Sequence, residues 1–444
     1  MATSSKIKLS ISQHPEYSVP GITSESADTA SKLLQENHDQ HHIFFNKSGL
    51  HNHIAHHLLT IYALGASPSI LKRQYDLNKS YQRPQGSFEK SIVNDMHDPE
   101  RCKTYLGDEK HYHDFLVFFQ DEMDRKGWEN VLNEYLFKGN ERADDLLARL
   151  YAGFLHPIIH LGFGIEFHQP AVIAEALAQA AIQSNWMIPL FIGAEKVAKE
   201  NDQKGSKSLV QLLDEIHSDE KVSKAANWDD GNKIRDGIIK RAPEEMIKYA
   251  SQFTVKESEL EEKTAEMINA VVYYTGGAQN PLKQVKFDFY YIHCVNCSIF
   301  FSAFIKQPWL STKNKIRLLE WKGRNDLTMY ASRRSPDVLL EEIENYQPKR
   351  IAGEESDQWA DIFERVKNRE EDGHASKLVR ALAHGQVICE PYEYKKSFRI
   401  KKHMWLQLGN MAIDSVEAGK PEWVRSAGFP QAWDHVPERP RPQL

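Results

Sequence analysis

Apolar side chains recur every three to four residues through most of this chain, and histidine sits on several of those apolar stripes. The run 141–155 (ERADDLLARLYAGFL) repeats Leu146, Leu147, Leu150, Tyr151 and Phe154 at that spacing. A 3.6-residue period puts such side chains on one face of an α-helix, and that face must be buried against other helices. The same pattern predicts helices over 26–38, over 51–65 with Gly65 as the stop, and through 110–136. Pro157 should kink or restart the 141–155 helix just before His160, and Pro170 opens an Ala-rich helix over 170–186. Further helices are predicted over 241–275, 281–305 (starting at Asn280-Pro281), 336–347, 356–369, 373–386 and 397–418. The polar section 194–234 reads as a surface helix pair or a loop. No strand–helix alternation and no solenoid-length repeat appears. The expectation is an all-α fold: one large helical domain over 26–422, a flexible N-terminal arm at 1–25 and an irregular, proline-rich C-terminal arm at 423–444.

Bulk properties exclude several function classes. A net charge of −6 carries no basic footprint for nucleic acid. Apolar runs stop short of the ~18 residues that a membrane span requires. The 41% apolar and 27% charged composition fits a globular protein, and a cytoplasmic location is the expectation. Four cysteines are too few for a disulfide framework at this length. Cys294-Val295-Asn296-Cys297 has redox or zinc spacing but no second pair, so buried packing in a helix is the simpler reading.

The histidines carry the functional signal. His53, His56 and His57 fall within five residues beside Leu58, Leu59 and Ile61, where imidazole is costly to desolvate without a purpose. His156, His160 and His293 lie in apolar helix-like runs, and His374 stands three residues before Lys377 with His384 beyond. Imidazoles brought together from several helices are a common way to hold a borderline transition metal. Taken singly, His156, His293 and His384 read more simply as hydrogen-bonded core residues. His38, His41, His42, His97, His111, His113, His217, His403 and His435 have polar neighbours in sequence and read as solvated.

Standard metal motifs are absent. No His-Glu-x-x-His occurs, and Glu371-x-x-His374 is half of a carboxylate di-iron motif without its second copy. Lys377 has two readings. A buried, neutral amine can add carbon dioxide to give an anionic carbamate ligand; an ordinary lysine extends its stem to reach water. On spacing alone the ordinary reading is the stronger.

The runs HNHIAHHLLTIYALGAS (51–67), HPIIHLGFGIEF (156–167), FDFYYIHCVNCSIF (287–300) and DGHASKLVRAL (372–382) resemble the signature blocks of the questin-oxidase-like family, fungal tailoring enzymes of aromatic polyketide pathways. The resemblance covers roughly 10–430 and is strongest to members that open the central ring of anthraquinones as non-haem iron dioxygenases. It implies iron held by four histidines and a carboxylated lysine, placing His57, His160, His293 and His374 as imidazole ligands and Lys377 as the carbamate ligand. The choice among His53, His56 and His57 stays open, with His384 in reserve. It further implies Fe(2+), dioxygen and a small anthraquinone substrate, yielding a benzophenone-type product. Phe163, Phe167, Tyr290, Tyr291 and Phe300 are candidate pocket-lining groups. The family also includes enzymes described as NADPH-dependent Baeyer–Villiger oxidases, although no G-x-G-x-x-G follows a strand-like run here. Two further alternatives are a helical binding protein with structural histidines and a zinc hydrolase; against the latter, more than three histidines plus an acid ligand leave little room for a three-ligand catalytic zinc.

Overall fold

A computed structural model describes residues 1–200, 206–350 and 355–439, with side chains omitted at 355–357. The architecture is all-α: β pairing among the described residues is confined to isolated bridges such as Phe44 with His51. The helices used below are α1 (Ser24–Gln40), α2 (Ile54–Ala63), α3 (Pro68–Lys79), α4 (His156–Glu166), α5 (Pro170–Ala181), α6 (Tyr291–Lys306), α7 (Thr312–Ser332) and α8 (His374–Cys389). The chain forms two compact units. The first comprises Met1–Ile188, Phe300–Ser311 and Lys367–Arg380; the second comprises Pro189–Ile299, Thr312–Val366 and residues 381 onward.

In the first unit α5 packs along α4, and α1, α2 and α3 pack on one another. α4 begins at His156 with Pro157 in its first turn, so the predicted restart is present. Close approach is written into the sequence here. A Cβ on Gly162 would lie 2.1 Å from Cγ of Phe300, far inside van der Waals contact. Gly162→Ala is therefore expected to destabilise the fold by about 1–3 kcal/mol through overpacking. The check is a lower denaturation midpoint at unchanged m-value. The N-terminal stretch 1–25 has little regular structure, yet Ile7 and Leu9 are buried. Gln35 and Ser31 accept hydrogen bonds from their backbone N–H groups.

Several boundaries differ from the sequence reading, each for a local reason. The 110–136 run is two helices, Tyr112–Lys126 and Trp128–Tyr135, parted by Gly127 at φ +80°. In the second unit the 241–275 run is Pro243–Ala250 and Leu260–Gly277. α6 starts at Tyr291 rather than at Pro281. The carboxylate of Asp288 accepts from the N–H groups of Tyr290 and Tyr291, and the backbone before it pairs with the C-terminal tail, Phe289 N–H donating to Val424. That tail is irregular, but Val424, Phe429, Trp433 and Val436 are buried; residues 440–444 lie outside the described residues. The polar section contains Leu209–Ser218, with Leu209, Val210, Leu212, Leu213 and Ile216 buried, while 201–205 lie outside the described residues.

The 21-residue α7 has no counterpart in the sequence reading. Its C-terminal two-thirds is buried on nearly every side, with Lys322, Arg324, Asn325 and Asp326 set among Leu318, Leu319, Trp321, Leu327 and Met329. Lys322 pairs with Asp326 and Arg324 donates to Glu320 at 3.0 Å. A helix buried all round, with charged residues mixed among apolar ones, leaves no one-faced hydropathy period to find.

Among the described residues no single helix is long and apolar enough to cross a membrane. All four cysteines are free and buried, and Cys294 and Cys297 sit in α6 as expected.

Candidate metal centre

Three histidines from three separate stretches converge in the first unit. One nitrogen from each of His53, His156 and His374 lies within 4.8 Å of the others, and all three side chains are buried. His53 is the N-cap of α2, while His156 and His374 are the first residues of α4 and α8. Each therefore sits where a helix begins. His156 is delivered by a tight 151–155 turn in which Phe154 (φ 54°) and Leu155 (φ 68°) both take left-handed backbone angles. Two consecutive non-glycine residues in that region store strain, which is typical of functional sites.

Hydrogen bonds fix which nitrogen each ring presents. His374 Nδ1 donates to Asp372 Oδ1 at 2.6 Å, and His53 Nδ1 donates to the other Asp372 oxygen at 3.2 Å. His156 Nδ1 donates to the Gly153 carbonyl at 2.6 Å. A carboxylate or carbonyl behind Nδ1, leaving Nε2 as the lone-pair donor, is the usual support of metal-binding imidazole. The Nε2 atoms of His53 and His156 are 2.8 Å apart. With both Nδ1 protons committed, two lone pairs facing at that distance repel unless a proton or a cation lies against them. The donor set thus fits a metal ion.

Burial keeps the His53 ring neutral, as ligation requires. It pushes His53 down to about 3, helped by the Lys377 charge and opposed by Asp372. Burial pushes His57 down to about 3 as well. Burial alone would raise the Asp372 carboxyl, but His374 and His53 hold it well below the usual carboxylate range. The histidine shifts set a pH window for the metal-free protein. Between about 6.5 and 3 the unfolded chain takes up protons that folded His53 and His57 refuse, so stability falls as pH falls. The thermal midpoint of metal-free protein should drop between pH 7 and 5; a flat profile would count against buried neutral rings.

Lys377 lies one turn along α8 from His374. It is buried, and Nζ has no hydrogen-bond partner. Burial lowers its pKa to about 8, against the pull of Asp372 and Glu371. Glu371 is a helix cap rather than half of a di-iron motif: its oxygens accept from the N–H groups of Ala375 and Ser376 at 2.7 and 2.8 Å. Gly373 (φ +96°) permits the turn between cap and helix, and a Cβ there would meet Cβ of His57 at 2.8 Å.

The other expected residues take different places. His57 Nδ1 lies 3.4 Å from the Asn78 amide and its Nε2 is buried without a partner; it stands outside the three-nitrogen group. So does His160, whose Nε2 donates to Glu175 at 2.6 Å while its Nδ1 accepts from His56 Nε2 at 3.0 Å. Glu175 also accepts from His38 Nδ1 at 2.7 Å. Burial would raise this carboxyl, but the bonds from His160 and His38 hold it at about 2. His38, His42 and His111 are therefore buried, not solvated; their partners Glu175, Glu109 and Asp114 satisfy them inside the fold. His293 and His384 belong to the second unit, where both are buried, and His293 Nδ1 donates to the Phe289 carbonyl at 2.6 Å. Phe163 stacks on His56 with centroids 5.3 Å apart and meets Phe300 edge-on at 4.7 Å, giving the histidine group an aromatic flank.

Comparison with known proteins agrees with the sequence resemblance. The family model for questin oxidase-like proteins matches residues 50–382. The chain is 41% identical over 419 residues to the Baeyer–Villiger oxidase ptaJ of Pestalotiopsis fici, covering 93% of this chain and 94% of that protein. It is 38% identical over 448 residues to a questin oxidase of Aspergillus terreus, covering 98% of each. A Baeyer–Villiger monooxygenase, dmxR6, of a Cryptosporiopsis species is 40% identical over 425 residues, covering 94% of this chain and 95% of that protein. These relatives are oxidoreductases. With matches running nearly end to end, this chain belongs to the questin oxidase-like family.

Proposed function

We propose that the protein is an iron-dependent dioxygenase that opens the central ring of an anthraquinone to a benzophenone-type product. The observation that carries this reading is the buried group of three imidazole nitrogens from His53, His156 and His374, each ring fixed from behind at Nδ1. Bound ferrous iron would supply the redox chemistry that lets dioxygen react with a closed-shell aromatic. The protein's own contribution is positional and electrostatic. Asp372 holds two rings in one tautomer, and the Gly153 carbonyl holds the third. Phe163 and Phe300 give that side of the group an apolar wall against water. The neutral Lys377 amine attacks the carbon of carbon dioxide and releases a proton, leaving a carbamate whose oxygen completes the donor set. Relatives named for questin oxidation and for Baeyer–Villiger oxidation support oxygen chemistry on an aromatic ketone.

Those names also favour a second reading, NADPH-dependent Baeyer–Villiger oxidation of the same class of ketone. Turnover of a hydroxyanthraquinone, followed with and without NADPH and after iron chelation, separates the two. The dioxygenase consumes dioxygen without NADPH and stops on chelation. Turnover that needs NADPH and survives chelation establishes the second reading.

A further inference from the structure

A hydrogen bond at Nδ1 fixes one edge of an imidazole but leaves its plane free to swing about that bond. The Nε2 lone pair lies in the ring plane, so a swing turns it away from any ion it should meet. His156 Nδ1 donates to the Gly153 carbonyl at 2.6 Å, which sets the edge of this ring. A second imidazole sets its plane. His51 lies face to face with His156, with centroids 3.9 Å apart and planes 4° from parallel. At that separation the two flat faces touch, and His156 cannot tilt toward His51. In the same plane His156 lies within 8° of parallel to His53, whose Nε2 faces its own at 2.8 Å.

His51 is itself held in place. Phe44 meets it edge-on at 5.0 Å, and a backbone bridge joins the two residues. Gln183, two residues past the end of α5, donates from Nε2 to His51 Nε2 at 3.0 Å. A Cβ on Gly153 would lie 2.9 Å from Gln183 Nε2 and 3.0 Å from His51 Nε2, so this position has no room for a side chain. The backbone that holds the edge of His156 is therefore packed against the pair that holds its face. Because His51 Nε2 accepts from Gln183, the ring proton of neutral His51 sits on Nδ1. The ring then has no lone pair left for an ion, and its contribution is its flat face.

We propose that His51 is a positioning residue of the metal centre: its ring sets the plane of His156 and so aims the His156 Nε2 lone pair at the ion. This rests on the metal-binding reading above. Groups that orient a metal-binding imidazole govern affinity nearly as the ligands do.

The test is titration of metal-free protein with cobalt(II), which takes the same nitrogen donors as ferrous iron and whose visible absorption bands report donor geometry. His51→Ala should bind cobalt about 10- to 100-fold more weakly than wild type, with altered bands. His51→Phe restores a flat face without a nitrogen, and the half-buried Gln183 amide can turn to water. It should bind cobalt within about threefold of wild type and show wild-type bands. His51→Leu, which fills the space without a flat ring, takes the place of the alanine variant should that misfold. Wild-type affinity and bands in the protein without a ring at this position overturn the proposal. So does a His51→Phe protein as weak as His51→Ala, because the nitrogen rather than the face would then matter. Failure of wild type to bind cobalt instead removes the metal-binding reading on which the proposal stands.

Discussion

Replacing His374 with alanine is expected to abolish turnover and to leave the purified protein without bound iron. The residue has two roles in the site. Its ring contributes one of three nitrogens lying within 4.8 Å of one another, and its Nδ1 anchors Asp372, which also orients His53. Losing it removes one donor and frees a second. Disturbing only an outer partner typically costs ~10–100-fold in metal affinity or activity. Asp372→Asn should fall in that range and His374→Ala well beyond it. Metal analysis beside oxygen-uptake rates checks both. Equal effects of the two substitutions would show that the ring is not a donor.

The second large effect concerns Lys377. With its pKa lowered to about 8, roughly a quarter of the amine is neutral at pH 7.5, against about 0.1% for an ordinary lysine. That fraction is what carbon dioxide can capture. Nζ is buried with no hydrogen-bond partner, so the amine is not held in an ion pair that would block the reaction. Lys377→Ala is expected to lose turnover and most bound iron. Lys377→Glu should keep part of the iron but not the turnover, because its carboxylate sits on a shorter stem. Stripping wild type of carbon dioxide at mildly acid pH should inactivate it, and bicarbonate should restore it. A fully active Lys377→Ala protein would remove the lysine from the donor set.

The sequence was informative where helices bury an apolar stripe and silent where they bury charge. α2, α4 and α5 follow from the spacing of Leu, Ile, Phe and Ala; α7 does not, because Lys322, Arg324 and Asp326 are buried among its apolar residues. The candidate site was legible as blocks rather than as residues. Each of the first two blocks offers histidines three or four apart, and spacing alone cannot choose between them. The choice is made by helix starts: His53 caps α2 and His156 opens α4 after two left-handed residues, so these rings, not His57 and His160, enter the three-nitrogen group. A periodic reading ran the preceding helix straight through Phe154 and Leu155 and could not see that turn. Glu175 was hidden in an Ala-rich run that reads as plain core. Its importance comes from His38 and His160, which lie 137 and 15 residues away in sequence.

Iron content of His53→Ala and His57→Ala, each loaded anaerobically beside wild type, tests the central claim most directly. The geometry predicts about one iron per chain in wild type and in His57→Ala, and little in His53→Ala. Iron retained by His53→Ala but lost from His57→Ala, or no iron in loaded wild type, would contradict it.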